Sequence, residues 1–314
     1  MDILNFAIHL MSGAILLLFA VKFMRVGIER QFAGEITRMM SDPGASVGLM
    51  SKGAGLGFVM QGATVVLLMS ASLVGSATIP TLSAVLLSLG ADFGSALAVQ
   101  FLQLPISALG PFLVLAGGWT YMNHNMSRYA HDLGRVALGL GLVFLALSVI
   151  RNAVAPLQDM QGMSTVIHAL GSDPVNAALA GLALTLLMHS SLAALLTAVA
   201  LVSHTALDPV SGLGFVLGAN IGSALLPLWL LRSESAASLT VPRILAVFRS
   251  AFAVLFLMLS ALLRDPIVGL LGALATHSIM LFGHIGFNLI LLILSPLATP
   301  ISAFFDRDPR HTAM

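Results

Sequence analysis

The chain has 314 residues, of which 58% are hydrophobic and 9% charged, and its mean hydropathy is +1.00. A soluble domain carries about 25% charged residues, so this chain has too few charges to cover a water-exposed surface and is expected to be an integral membrane protein. The net charge of +1 gives no reason to expect a nucleic-acid partner, and the absence of cysteine excludes disulfides, thiolate metal sites and thiol nucleophiles.

Apolar segments of about 20 residues, long enough to span a membrane, occur at four places along the chain. In order they are residues 5–24, 133–150, 247–263 and 275–295. The first is expected to remain as a membrane helix and not to be removed as a signal, because Lys22 and Arg25 follow the apolar run instead of preceding it.

Two further apolar tracts, 47–119 and 175–231, are too long for one helix and carry polar interruptions. The second tract repeats the first at an offset of 128 residues: between 53–102 and 181–230, 16 of 50 aligned positions are identical. The closest block, Gly-Ala-x-x-Gly-Ser-Ala-Leu, begins at Gly90 in one copy and at Gly218 in the other. The chain is therefore predicted to be an internal duplication.

Each half is predicted to contain one full span, a re-entrant hairpin that turns at a polar residue (Gln61 or His189), a broken span and a return span. Three crossings per half invert the second half relative to the first, which is the inverted-repeat plan of secondary transporters. The predicted fold is an all-α membrane protein with about seven or eight spans. Its parts are repeat 1 over 1–130, with a hairpin at about 47–78 and a broken span at about 81–104; repeat 2 over 131–264, with a hairpin at about 175–206 and a broken span at about 208–231; and a C-terminal membrane helix with a short tail over 265–314.

The distribution of Lys and Arg among the predicted loops gives the orientation. Twelve of them fall on one face, Arg25 and Arg249 included, and only Arg151 and Arg264 fall on the other. Since the positively charged face is cytoplasmic, the N-terminus is predicted outside and the C-terminus inside the cytoplasmic (inner) membrane.

The interruptions locate the predicted site, because non-helical backbone at membrane depth is tolerated only inside protein or beside a water-filled cavity. Free N–H groups at a helix start suit an anion, whereas hydroxyl, amide and carbonyl oxygens can replace the water shell of a small cation. Two semi-sites are expected to meet near the membrane midplane. The candidate binding residues are Gln61, Gly62, Ala63, Thr64, Asp92, Ser95, His189, Ser190, Ser191, Asn220 and Ser223. The glycines predicted to break the helices are Gly90, Gly94, Gly218 and Gly222.

Plainer structural roles are open for the same residues. Asp92 alternatively caps a helix, His284 hydrogen-bonds between helices, Ser190 and Ser191 close helix contacts, and the glycines form packing notches. A charged residue inside a membrane is functional by default, which favours a transport role for Asp92.

Several short motifs follow one another along the chain. They are the run at 17–24, the tips at 61–64 and 189–192, the Gly-Ala blocks at 90–95 and 218–223, the Gly-Leu-Gly-Leu run at 139–147, and His284-x-x-Phe287-Asn288, with a weaker echo at Arg249, Phe252 and Ala253. Together they resemble the sodium/phosphate cotransporter family in its short bacterial form, without a C-terminal regulatory tail. The resemblance implies sodium-coupled transport of inorganic phosphate by alternating access, with ions and substrate held at the paired tips.

The tips depart from the pattern of that family. Gly62 and Ala63 stand where hydroxyl residues are usual, His189 stands in place of a glutamine, and Asp92 stands in place of an asparagine. A carboxylate near the midplane strengthens a sodium site or takes up a proton, and it repels phosphate unless a cation neutralises it. Sodium is expected as the coupling ion, at a site near Gln61, Asp92, Ser190 and Asn220. Proton coupling, or a different anion as substrate, is the alternative.

The chain contains no H-E-x-x-H string and no P-loop string, so it is predicted not to be an enzyme or an ATP-driven pump and to need no cofactor besides the coupling ion. A transport-inactive homologue that acts as a sensor or scaffold is the remaining alternative. The expected partners are inorganic phosphate or a similar anion, Na+ or H+, and the lipid bilayer, without nucleic acid. The sequence does not fix the oligomeric state, and a homodimer is compatible with it.

Overall fold

The computed structural model describes residues 3–42, 44–103, 107–154, 173–202 and 208–306, and within these ranges all regular structure is helical, as predicted. The α-helices in chain order are α1 (Ile3–Ser41), α2 (Ser46–Val59), α3 (Ala63–Gly75), α4 (Thr81–Leu102), α5 (Gly110–Met122), α6 (Arg128–Val154), α7 (Pro174–Met188), α8 (Ser191–Val202), α9 (Pro209–Leu230), α10 (Ala236–Leu262), α11 (Arg264–Leu271), α12 (Thr276–Ile293) and α13 (Ala298–Asp306).

Six of these helices are long and apolar enough to cross a membrane, namely α1, α4, α6, α9, α10 and α12. The described part of the chain therefore has six such helices instead of the seven or eight predicted. The difference lies in α5, the predicted return span of the first repeat, which has 13 residues. At 1.5 Å per residue it extends about 20 Å, which is less than the roughly 30 Å of the apolar layer.

The helix boundaries repeat at the same offset as the sequence. α2 and α7 begin at residues 46 and 174, α3 and α8 begin at 63 and 191, and α4 and α9 cover 81–102 and 209–230. Each pair is thus separated by 128 residues. This three-helix unit occurs twice, as an internal duplication requires, and its inversion relative to the membrane stays a prediction.

Glycines let α2 and α4 pack backbone against backbone. A Cβ atom at Gly90 would overlap the carbonyl oxygen of Met50, and one at Gly94 would overlap that of Ala54. The contact advances by four residues on both helices, so α2 and α4 run parallel. In the second copy Gly218 meets the carbonyl oxygen of Ala178 in the same way.

The predicted helix breaks at Gly90, Gly94, Gly218 and Gly222 are wrong. Where broken spans were predicted at 81–104 and 208–231, α4 is unbroken over Thr81–Leu102 and α9 over Pro209–Leu230. The physical reason is that small residues in membrane helices allow two backbones to approach closely. Gly90, Gly94 and Gly218 lie against the backbone of a neighbouring helix, and Gly222 lies against the side chain of Thr185 in α7. The missing side chains therefore serve packing and not unwinding.

The chain does leave the helical conformation at the two predicted polar residues. Gln61 lies between α2 and α3 with φ 48°, and His189 lies between α7 and α8 with φ 51°. Residues other than glycine rarely adopt this left-handed conformation, and where they do the strain often marks a functional site. The depth of the two short helix pairs in the membrane stays a prediction.

α4 and α9 are the central helices of the molecule. In their most apolar stretches, 78% of the residues of α4 and 61% of those of α9 are buried inside the protein, against 39% for α1, α10 and α12. The less buried helices carry exposed apolar side chains such as Ile15, Met258 and Phe282, which is typical of surfaces that face lipid. Asp92 and Asn220 therefore sit in the protein interior and not at the lipid boundary.

Candidate functional site

A buried polar cluster lies where α4, α9, α10 and α12 meet. Its members, in the order of those helices, are Asp92, then Asn220 and Ser223, then Arg249, then His284 and Asn288. None of the six exposes more than 6% of its surface. Charged and polar groups at such positions in membrane helices are costly and mark ion or substrate pathways.

Arg249 is the centre of this cluster. Its Nη1 atom lies 2.9 Å from Oδ1 of Asp92, and its Nη2 atom donates to Oγ of Ser223 at 2.6 Å and to Oδ1 of Asn220 at 3.3 Å. Asp92 and Asn220 are equivalent positions of the two repeats. One guanidinium group therefore joins the two halves of the duplication.

α12 completes the cluster with His284 and Asn288, which are one helical turn apart. Nδ1 of His284 lies 3.2 Å from the amide nitrogen of Asn220 and 3.3 Å from that of Asn288. The Asn288 amide also donates to Oδ1 of Asn220 at 3.3 Å. Since an amide nitrogen only donates, Nδ1 acts as acceptor here.

Three atoms of the cluster have no hydrogen-bond partner within the described part of the chain: Oδ2 of Asp92, Oδ1 of Asn288 and Nε of Arg249. A buried polar group without a partner costs about 1–3 kcal/mol. The two oxygens can accept a proton or bind a cation, and the Nε–H group can donate to an anion. The cluster thus retains binding capacity for both kinds of ion.

Arg249 also neutralises Asp92. The sequence predicted that a carboxylate at this depth repels an anion unless a cation is bound. The structure supplies the positive charge from the chain itself, since the guanidinium is as deeply buried as the carboxylate. An anion that enters the cluster therefore meets a neutral ion pair.

The first tip, Gln61-Gly62-Ala63-Thr64, packs against Arg25 of α1. Nε of Arg25 donates to the carbonyl oxygen of Met60 at 3.3 Å, and a Cβ atom at Gly62 would lie 2.6 Å from Nη2 of Arg25. The missing side chain at Gly62 thus makes room for a guanidinium group. Gln61 is buried, and its Oε1 atom has no partner among the described residues.

The second tip, His189-Ser190-Ser191, is built differently. The His189 side chain is exposed and its ring centre lies 5.4 Å from that of Trp229. Oγ of Ser190 accepts the backbone N–H of Ala193 at 3.2 Å, so it caps the start of α8, where Ser191 is the first residue. Ser190 thus stabilises the start of α8, and a binding role for it stays a prediction.

The structure brings together some of the predicted site residues and not others. Asp92, Asn220 and Ser223 meet at Arg249. Among the described residues, Ser95 hydrogen-bonds only within its own helix α4, to the carbonyl oxygen of Asp92 at 3.2 Å. No hydrogen bond or ion pair links either tip to the cluster in the part of the chain that the structure describes. A single sodium site shared by the tips and the cluster stays a prediction.

Arg249, His284 and Asn288 are the cluster residues that the sequence did not place in the site. Arg249 was counted on the cytoplasmic face, at the start of the predicted span 247–263, but it lies near the middle of the 27-residue helix α10. The signal was available, because a charge inside an apolar tract indicates a partner inside the membrane. Its position also echoes the His284-x-x-Phe287-Asn288 motif, and both motifs contribute side chains to the cluster.

One string in the sequence matches an enzyme motif. Gly-Ala-Ser-Val-Gly at 44–48 has the G-x-S-x-G spacing of a nucleophile elbow. That motif requires a strand before the serine and a helix after it. Ser46 instead begins α2 a few residues after α1 ends, so the match has no structural support.

The chain is similar over nearly its whole length to two curated proteins. It is 29% identical over 305 residues to a candidate inorganic phosphate export protein, YjbB, of Escherichia coli K12, and this match covers 95% of the chain and 54% of the relative. The protein of the same name from Salmonella typhimurium is 29% identical over 308 residues, with 96% and 55% covered. The chain thus spans about half the length of the curated relatives it matches. No solved structure matches it. The sequence profile of the Na+/Pi-cotransporter family matches residues 16–152 and 156–294, so the chain belongs to that family.

Proposed function

We propose that the chain is a secondary active transporter that moves inorganic phosphate across the cytoplasmic membrane by alternating access, with sodium as the coupling ion. Its family and the name of its relatives support phosphate as the substrate. The observation that carries the proposal is the guanidinium group of Arg249, which groups from both repeats hold in the protein interior.

Phosphate has the chemistry to replace Asp92 at Arg249. A guanidinium group binds phosphate or carboxylate through two parallel N–H···O bonds. Nη1 of Arg249 is held by Asp92, and Nε has no partner among the described residues. The parallel pair of N–H groups that includes Nε uses Nη2, which donates to Ser223 and Asn220 in this structure. A phosphate on Nε and Nη2 satisfies the free donor, and its negative charge releases the carboxylate of Asp92 from Nη1.

The released carboxylate then couples the anion to a cation. Oδ2 of Asp92 and Oδ1 of Asn288 are buried acceptors without partners in the described part of the chain, and hard oxygen ligands suit a small cation. The described residues contain no group of three or more His, Asp and Glu side chains that could hold a metal ion. Amide and carboxylate oxygens together, with one negative charge, match a monovalent ion such as Na+.

Proton coupling is the second candidate, and the same oxygen supports it. If phosphate displaces Asp92 from Arg249, the free carboxylate can take up a proton in place of a sodium ion. The same residue then alternates between an ion pair in the empty transporter and a neutral acid in the loaded one.

The movement itself would use the repeated three-helix units. Close glycine contacts join α2 to α4 and α7 to α9, so each short helix moves together with a helix of the cluster. If one unit moves against the other, the guanidinium group that joins them becomes exposed first to one side and then to the other, as alternating access requires.

Flux of labelled phosphate in proteoliposomes, with sodium and proton gradients imposed separately, tests this proposal. A sodium gradient alone is expected to drive accumulation, and a proton gradient alone is not. The reverse result supports the proton-coupled alternative. Vesicles preloaded with labelled phosphate measure efflux, and so test the export direction that the name of the relatives gives. Folded protein that moves no phosphate under either gradient contradicts transport and supports a sensor or scaffold.

A further inference from the structure

A cavity of about 460 Å³ lies apart from the cluster, among the last turns of α4, α6 and α8 and the first turns of α12. Its polar lining consists of Gln100, Gln103, Arg151, His277 and Ser278. No carboxylate is among the described residues that line it. The volume falls within the range of small-ligand sites, about 300–1,000 Å³, and the lining offers donors for an anion.

The cavity and the cluster share two helix faces. On α4, Gln103 follows Asp92 by about three helical turns, and on α12, His277 precedes His284 by about two turns, so each pair lies on one side of its helix. Leu281, which also lines the cavity, stands about one turn before His284. The cavity is therefore in line with the cluster, toward one end of the helix bundle.

Arg151 is available for a ligand in this cavity. It is half-buried, and neither Arg151 nor His277 has a hydrogen bond or ion pair among the described residues. Arg264, the other positive charge predicted on this face, is instead paired with Asp208 at 3.2 Å. An unpaired guanidinium group in a partly enclosed cavity attracts anions more strongly than one on an open surface, because low-dielectric walls focus its field.

We propose that this cavity is a second oxyanion-binding site, at the outer mouth of the pathway to Arg249. The ligand is a phosphate group held by the guanidinium of Arg151, the imidazole of His277 and the amides of Gln100 and Gln103. The inference rests on the proposed function in naming free inorganic phosphate as the source of that group. Substrate binds here first and then passes Leu281 to reach the cluster.

The absence of cysteine from the chain allows a direct test. Ser278→Cys places a unique thiol in the cavity, and a membrane-impermeant methanethiosulfonate reports its reactivity in purified protein kept in a phosphate-free maltoside detergent. Inorganic phosphate is expected to slow the reaction at constant ionic strength. Adding Arg151→Gln is expected to raise the half-protecting phosphate concentration about tenfold, the scale of one lost charge-assisted hydrogen bond. The matched control Arg264→Gln is expected to leave it unchanged.

The inference is wrong if inorganic phosphate does not slow the reaction of the thiol. It is also wrong if phosphate protects the thiol equally well in the Arg151→Gln variant. Protection by a short-chain phosphatidylglycerol but not by inorganic phosphate identifies a lipid headgroup as the ligand and also overturns it. The test is separate from that of the proposed function, because protection measures binding without flux. If phosphate protects the thiol in a protein that transports no phosphate, only the proposed function is contradicted. If the protein transports phosphate but phosphate does not protect the thiol, only the second site is contradicted.

Discussion

A buried arginine is stable in the interior of membrane helices only while its charge is matched. Arg249→Gln leaves Asp92 as an unpaired buried charge, which costs about 3–5 kcal/mol when one partner of a buried pair is removed. We expect a large loss of thermal stability in detergent and no phosphate uptake. The double variant Asp92→Asn with Arg249→Gln is expected to regain most of the stability but none of the uptake, because the anion-binding group is still missing.

The control for this pair is Arg264→Gln. Arg264 and Asp208 form an ion pair whose side chains are 42% and 20% exposed, and such a pair contributes about 0–1 kcal/mol. Stability and uptake should both stay close to those of the parent chain. A double variant at Asp92 and Arg249 that is no more stable than Arg249→Gln alone would show that the two charges are not energetically coupled.

Asp92→Asn alone tests the coupling of anion to cation. The substitution leaves Arg249 without its carboxylate partner, so the empty protein is expected to be less stable. Phosphate restores the matching charge and no longer competes with Asp92, so it is expected to bind more tightly, with KM about tenfold lower. It also removes the negative charge that attracts the coupling ion, so uptake should lose most of its dependence on sodium. Uptake in proteoliposomes at varied sodium and pH measures both effects. Unchanged sodium and pH dependence would mean that Asp92 has no part in coupling.

At the scale of the helices, the close approach of α2 to α4 depends on glycine. Gly94→Ala places a methyl group against the backbone oxygen of Ala54, so the helices must separate, and overpacking of this kind costs about 1–3 kcal/mol. Gly55→Ala is the matched control in α2, since nothing lies within 4 Å of its added Cβ. It should be neutral or stabilising by up to about 1 kcal/mol. Equal melting temperatures for the two variants would contradict the packing role.

The role of these glycines in their helices could not be predicted from the sequence, although other features of the repeats could. The offset of 128 residues and the polar tips at Gln61 and His189 could be predicted, because they interrupt an otherwise apolar pattern. Whether Gly90 and Gly94 open their helix or pack it could not, since both roles need a residue without a side chain. The neighbouring backbone of α2 decides between them, and no local pattern places it there.

At the scale of the whole molecule, the cluster combines residues that are distant in the sequence. Asp92 and Asn220 were candidates because they are equivalent positions in two copies of one block. Arg249 was not, because its partners come from α4 and α9 and because the predicted span left it close to a loop. The resemblance to a family could indicate the substrate class from motifs alone. The ion pair that neutralises Asp92 could not be predicted, because it forms only when α4 and α10 pack together.

The inverted relation of the two repeats makes a prediction about the entire fold. Val47 and Val175 are equivalent residues, each the second of its helix, and their side chains are 70% and 49% exposed. If the repeats are antiparallel, an impermeant maleimide should label Val47→Cys only from the cytoplasmic side and Val175→Cys only from the outer side. Asn125→Cys, in the exposed loop before α6, provides a second marker predicted on the cytoplasmic side. If both valine positions react from the same side, the repeats are parallel, and an alternating-access mechanism based on inverted halves has no structural basis.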